Sequence, residues 1–395
     1  MEGSSSHLAL LSAARRWRSA RRVVILKDGH GDDREGREPT DDILRVKTGL
    51  EACGLRVDFV EWERLADEHL DAAAVLPLMT WSYVLNAQNY SRFIALLKRC
   101  VSSQLQPLAD LRVLQWTAHK RFLLELSDAG VDVVPTCLLP VGTAAAGVRS
   151  ALRRLGKAQP TLMRDADQTC VVKPALGGGG DGVELLHPGD QRGEQALLGL
   201  LETREMLVQP FLPLVRTEGE IALVFVNEVL LHAVLKVPCG WGSEAADEGE
   251  AAAGEGGDAV RRHAASLQPV CELSQPPEEV LATARRALGV VRERACAPLD
   301  GPLYLARVDL LPARSSRAAG PPRWLVSEVE VGWPHLFLRA AGDREEARSR
   351  QCAEGLLRHL DAAPAVPPDV LAENADDGRA CERHAKRSRE TDLCP

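Results

Sequence analysis

The run CVVKPALGGGGDGVELLH, residues 170–187, limits this chain more than any other. Gly177, Gly178, Gly179 and Gly180 follow Lys173 closely, and Gly182 comes next but one. Glycine loses more backbone freedom on ordering than any other residue, so such a run cannot form the interior of a helix or a central strand. Gly177, Gly179 and Gly182 spell G-x-G-x-x-G, but a dinucleotide-binding turn needs a helix directly afterwards. Here a short strand-like VELL follows, then the breaker His187-Pro188-Gly189. A phosphate-binding P-loop needs lysine and Ser/Thr after the last glycine, where this chain has Val183 and Glu184. What remains is strand, glycine loop, strand. Such a hairpin can lay its backbone N–H groups over phosphates, with Lys173 as a point charge. On this run alone, a flexible hairpin with a solvated lysine is an equal alternative.

The rest of the chain gives this loop a setting. Its 395 residues suffice for two or three domains, and 45% hydrophobic content is ordinary for a globular protein. A net charge of −8 argues against a dedicated nucleic-acid partner, though not against a local basic pocket. No apolar run approaches the roughly 20 residues of a membrane span, so no membrane partner is expected. Ten scattered cysteines without a C-x-x-C pair predict reduced thiols in a cytoplasmic compartment, with a zinc site as the minor alternative. Residues 1–22 hold five arginines and a single acid, Glu2. That suits a mitochondrial or plastid transit peptide as well as a plain basic extension.

Periodicity predicts a strand at 21–28, a helix from Asp41 to a stop at Gly54, and strands in LRVDFVEWE and AAAVLPLMTWSYV. Further helices are expected in NYSRFIALLKRCVSSQL, over residues 118–130, and in AAAGVRSALRRLGK. VDVVPTCLL, TCVVKPAL, GVELLH and EMLVQPFL read as strands. EIALVFVNEVLLHAVLK reads as a hairpin turning at Asn227-Glu228. An acidic Gly/Ala-rich insertion follows, near residues 239–260, and then an amphipathic helix that starts behind a proline pair. Strands LYLARVDLLPA and RWLVSEVEVGW and a closing helix complete the order, and residues 363–395 read as a disordered tail.

Glu328 and Glu330 stand two apart on the last of these strands, so both side chains share a face while Val329 and Val331 take the other. Asp309 joins them if the two late strands pair. Three carboxylates on one face repel unless a cation sits among them, and hard oxygen donors suit Mg²⁺ held together with phosphates. An outward, solvated face explains the alternation equally well in isolation.

The order of parts is more specific: one lysine, a second lysine with a glycine hairpin, VQPFLP, EGE, then Asp and Glu-x-Glu. In this order, over roughly residues 75 to 345, the chain resembles the ATP-grasp superfamily. Within it, the chain is most similar to prokaryotic-type glutathione synthetase and ribosomal-S6-modification-like ligases. The resemblance implies an α/β (α+β) fold: an open N-terminal α/β domain over 23–115, then two α+β subdomains, 116–212 and 213–362, that sandwich ATP. It implies Lys120 and Lys173 as the ATP lysines, with Gly177, Gly178, Gly179, Gly180 and Gly182 as the lid. Gln209, Phe211 and Leu212 match the hinge whose backbone receives adenine, and Glu220 an acid near the ribose or substrate. Asp309, Glu328 and Glu330 match metal ligands for Mg²⁺, with Mn²⁺ as the alternative ion. Arg307 and Lys236 match basic groups facing the phosphates and the acyl intermediate.

The activity implied is ATP-dependent ligation of a carboxylate to an amine, the partners being a small-molecule acid and an amine or peptide. The chain departs from the pattern in one place: Ala264-Ala265 stand where relatives carry a Gly-Gly pair beside the substrate. A non-catalytic ATP-binding regulator is therefore an open alternative, as is an interaction protein built around the insertion and tail.

Overall fold

The computed structural model describes residues 22–362 apart from 30–40, 237–269, 296–302, 315–321 and short stretches at 70, 73, 81, 85–86, 103–105, 108–110, 178–181, 188 and 333. The basic N-terminus, the acidic insertion with Ala264-Ala265, and the C-terminal tail therefore lie outside the described residues, as do Gly178, Gly179 and Gly180.

The first sheet is parallel, in the order β2-β1-β3-β4: β1 (Arg22–Lys27), β2 (Arg56–Glu61), β3 (Ala74–Met79) and β4 (Gln106–Pro107). Val23, Val24, Ile25 and Leu26 are fully buried, as expected of a parallel strand covered on both faces. Helix Asp41–Ala52 ends before Gly54, whose φ of +81° is left-handed, and helix Ala87–Ser102 follows β3.

The helix expected over 118–130 is present but shorter, Phe122–Asp128, and a separate helix, Leu111–Ala118, precedes it. Between them the backbone leaves the helical path: His119 pairs with Leu176, and Lys120 N–H donates to Ala175 O at 2.7 Å. The first helix shows its spacing only at Leu111, Leu114 and Ala118, a short eight-residue pattern with no capping signal around it. The expected boundary at 115/116 falls inside it.

The second sheet is antiparallel, in the order β5-β8-β6-β7: β5 (Cys137–Leu139), β6 (Cys170–Pro174), β7 (Glu184–Leu186) and β8 (Met206–Pro210). Helices Ala145–Ala158 and Gln191–Leu201 pack on one face through Val148, Leu155, Leu197 and Leu201 against Val172, Met206 and Val208. The strand expected from Val131 starts only at Cys137, because Pro135 has no N–H to give a ladder. Val133 instead bridges to Val326 of the third sheet.

That third sheet runs β11-β10-β9-β12-β13: β9 (Glu220–Val226), β10 (Val229–Lys236), β11 (Val270–Leu273), β12 (Leu305–Ala313) and β13 (Arg323–Val331). The β9–β10 turn has φ of +49° at Asn227 and +62° at Glu228, the pair of positive values a two-residue hairpin needs. Helix Glu278–Ala295 packs on β12 and β13. Helix Glu345–Ala362 joins the third sheet to the first: Cys352, Ala353 and Leu356 share one core with Val23, Ile25, Leu50 and Val224. Sheets of both kinds, each with helices on it, bear out the α/β (α+β) expectation.

Candidate functional site

The pairing of β12 with β13 builds the centre. Their register sets Asp309 opposite Glu328 and Arg307 opposite Glu330. Arg307 donates from Nε to Asp309 Oδ1 at 2.7 Å and from Nη2 to Oδ2 at 2.9 Å, and its Nη1 lies 2.9 Å from Glu330 Oε2. Lys236, at the end of β10, reaches Asp309 Oδ2 at 3.1 Å and also pairs with Glu220. Burial alone raises the Asp309 carboxyl, but Arg307 and then Lys236 outweigh it and hold it well below the usual carboxylate range. Burial pushes Glu330 up to about 7, against the opposing pull of Arg307. Glu220 also rises through burial, opposed by Lys236.

Two more lysines arrive from the second sheet and the turn before it. Lys120 Nζ donates to Gly177 O at the start of the glycine run and lies 3.7 Å from Glu328 Oε1. Lys173, on β6, points at the same place, its Nζ 3.5 Å from Ser327 O. Burial lowers the Lys173 amine to about 8, Glu328 raising it and Lys120 lowering it further. Among the described residues, Lys120, Lys173, Lys236 and Arg307 thus meet Glu220, Asp309, Glu328 and Glu330: four cations against four carboxylates.

The loop's ends are fixed by glycine geometry. Gly182 has φ of +68°, and a Cβ there would lie 2.9 Å from Pro174 Cγ. Gly182→Ala is expected to strain this closure by about 1–3 kcal/mol. The melting temperature should move little, because the strain falls on a local hairpin; a thermal melt checks this.

Residues 209–212, expected to be a hinge, are buried at the end of β8. Gln209 is buried and donates from Nε2 to Thr136 Oγ1 at 2.8 Å, so its side chain braces β8. Phe211 and Leu212 are also buried; Phe211 N–H already donates to Thr169 O, and Arg216 stands 5.0 Å over the Phe211 ring.

The donor set fits a hard divalent cation. Glu328 and Glu330 are one-third exposed on one face, and Mg²⁺ commonly takes one or two carboxylates with phosphate oxygens completing its shell. Asp309 differs from the two glutamates, since both its oxygens are engaged by Arg307 and Lys236. Among the described residues no three His, Cys, Asp or Glu side chains form a metal cage.

Sequence reading passed over Ser327, His335 and Phe337. The Phe337 ring lies 5.4 Å from the Arg307 guanidinium and 5.6 Å from Lys236 Nζ, and the His335 ring packs against it, tilted by 52° with centroids 4.4 Å apart. The only signal was closeness to Glu-x-Glu: Ser327 directly precedes it, and His335 and Phe337 follow in WPHLFL, which reads as ordinary core.

The three sheets and this convergence of lysines, glycine hairpin and carboxylates give the chain the ATP-grasp fold, as its sequence resemblance implies. Cycloserine biosynthesis protein DcsG of Streptomyces lavendulae is 27% identical over 316 residues, 78% of this chain and 92% of that protein. The crystal structure of D-cycloserine synthetase DcsG matches with a TM-score of 0.66 at 22% identity, covering 86% of this chain and 99% of that one. D-alanine–D-alanine ligase from Bacillus anthracis matches at 0.52 and 14% identity, over 86% and 98% of the two chains. ATP-grasp ligase PsnB, in complex with a phosphomimetic precursor, Mg and ADP, matches at 0.50 and 15% identity, again over 86% and 98%. No family model matches the chain. No helix among the described residues is long and apolar enough to cross a membrane.

Proposed function

We propose that this protein is an ATP-dependent ligase that joins a carboxylate to an amine. The observation that carries the reading is the cluster of four cations and four carboxylates beneath the ends of a glycine hairpin. Buried ion networks are costly compared with apolar packing, so stability alone gives no reason to assemble one here. In this reading ATP supplies the activation: the substrate carboxylate takes its terminal phosphoryl group, ADP leaves, and the amine then displaces phosphate and loses a proton.

The chain's own groups position and neutralise. Lys120 and Lys173 hold the phosphates, close to the described start of the glycine run at Gly177. Glu328 and Glu330 would hold Mg²⁺, or Mn²⁺ in its place, which would neutralise phosphate charge, with Asp309 setting the position of Arg307 and Lys236 behind them. Arg307 and Lys236 face the terminal phosphate and the developing acyl oxygen. The backbone of 209–212 borders adenine, and Glu220 is tied to the substrate side through Lys236.

The likeness to a D-cycloserine synthetase and a D-alanine–D-alanine ligase favours a small amino-acid-like acid. A screen for ADP release with amino acids, dipeptides and hydroxy acids, each with and without an added amine, tests the reading. Substrate-dependent ADP release is expected. Tight Mg-ATP binding with no release from any acid would instead make the protein an ATP-binding regulator.

A further inference from the structure

Phe337 has the left-handed backbone conformation, φ +52° and ψ +33°, which a bulky side chain seldom adopts. Leu336 and Leu338 are both almost completely buried in the core shared by the first and third sheets. With both leucines turned into that core, Phe337 between them faces the charged cluster, and the chain turns there into the helical run that begins at Leu338. The segment is pinned on each side: His232 Nε2 contacts Leu336 O at 2.7 Å, Arg307 Nη1 donates to His335 O at 3.3 Å, and Ala340 N–H donates to Phe337 O at 3.0 Å. A brace comes from the first sheet's unit, where Asp42 lies 3.3 Å from His335 Nδ1 and accepts from Arg339 N–H at 3.3 Å.

We infer that Phe337 is a positioning residue that holds Arg307 and Lys236 toward the terminal phosphate. The inference rests on the proposed ATP-dependent reading of the site. Strained backbone persists where surrounding structure enforces it, and the strain here places one aromatic face within cation–π range of two cations from different strands, β12 and β10. Each cation already has carboxylate partners that pull it toward the sheet: Asp309 and Glu330 for Arg307, Glu220 and Asp309 for Lys236. The ring gives both a second, uncharged contact that does not compete with an incoming anion. A purely apolar side chain would fill the space without attracting either.

Phe337→Leu and Phe337→Tyr separate the two roles, read by calorimetric binding of Mg-AMP-PNP and Mg-ADP to the full chain alongside a thermal melt. Phe337→Leu is expected to weaken Mg-AMP-PNP about tenfold and Mg-ADP less than about twofold, the sort of effect two cation–π contacts can exert together. Phe337→Tyr, which keeps the ring, should restore wild-type affinity. Unchanged Mg-AMP-PNP binding in Phe337→Leu would overturn the inference while leaving the ATP reading intact. Equal weakening of both nucleotides, a loss matched by a lowered melting temperature, or failure of the tyrosine to rescue would assign Phe337 to packing and overturn it too. A wild-type chain that binds neither nucleotide would overturn the ATP reading itself.

Discussion

Lys173→Met is expected to lower ATP-dependent turnover by a factor on the order of 100 or more, the scale seen when one preorganised charge is removed from a closed site. Stability should stay unchanged or rise. Both effects follow from the same fact: burial pushes the amine down to about 8, so the empty protein holds this charge at a cost that a methionine of similar length does not incur. The sign of the pH dependence is fixed. The native value lies below that of an unfolded lysine, so between about 8 and 10.5 the unfolded chain binds more protons and wild-type stability rises with pH. Bound phosphate favours the charged amine, so ATP binding takes up a proton near and above pH 8, and affinity falls as pH rises. Lys173→Met should lose both dependences. Calorimetry in buffers of different ionisation enthalpy, with melts from pH 7 to 10, reads them directly. A variant that binds ATP as tightly as wild type, with the same proton uptake, would remove Lys173 from the site.

The lysine was legible because it adjoins a glycine run that allows few structures. The same holds for the β9–β10 hairpin, whose Asn227-Glu228 turn is flanked by branched residues on both sides. The carboxylates were legible only as an alternation on a strand; that Asp309 faces Glu328 and Arg307 faces Glu330 depends on a register no local pattern states. Helix Gln191–Leu201 and strand β11 were missed altogether, the first because it lies among strand candidates and the second because it follows the long insertion. Phe337 was least legible. Its role depends on a left-handed backbone and on contacts to β10 and β12, and in sequence it is one aromatic in an apolar stretch.

Asp309→Asn is expected to be the most damaging single change in the cluster. Asp309 is almost completely buried and serves two cations at once, accepting two hydrogen bonds from Arg307 and one from Lys236. Asparagine keeps the shape but removes the charge and puts an amide NH2, itself a donor, where one of those donors points. Breaking a buried ion pair by removing one partner typically costs about 3–5 kcal/mol, because the remaining charge stays buried. Glu330 and Glu220 retain part of the compensation, which favours the lower end of that range. The carboxylate is held below its usual range, so its contribution is present above the unfolded value near 4 and fades as pH falls below it. The gap in melting temperature between wild type and Asp309→Asn should therefore be full at pH 7 and narrow below about pH 4. Adding Lys236→Met to Asp309→Asn removes one stranded cation, so the double variant should be more stable than the sum of the single changes allows, a coupling of about 1 kcal/mol or more. Simple additivity would mean that Lys236 and Asp309 do not act on each other as their 3.1 Å separation requires.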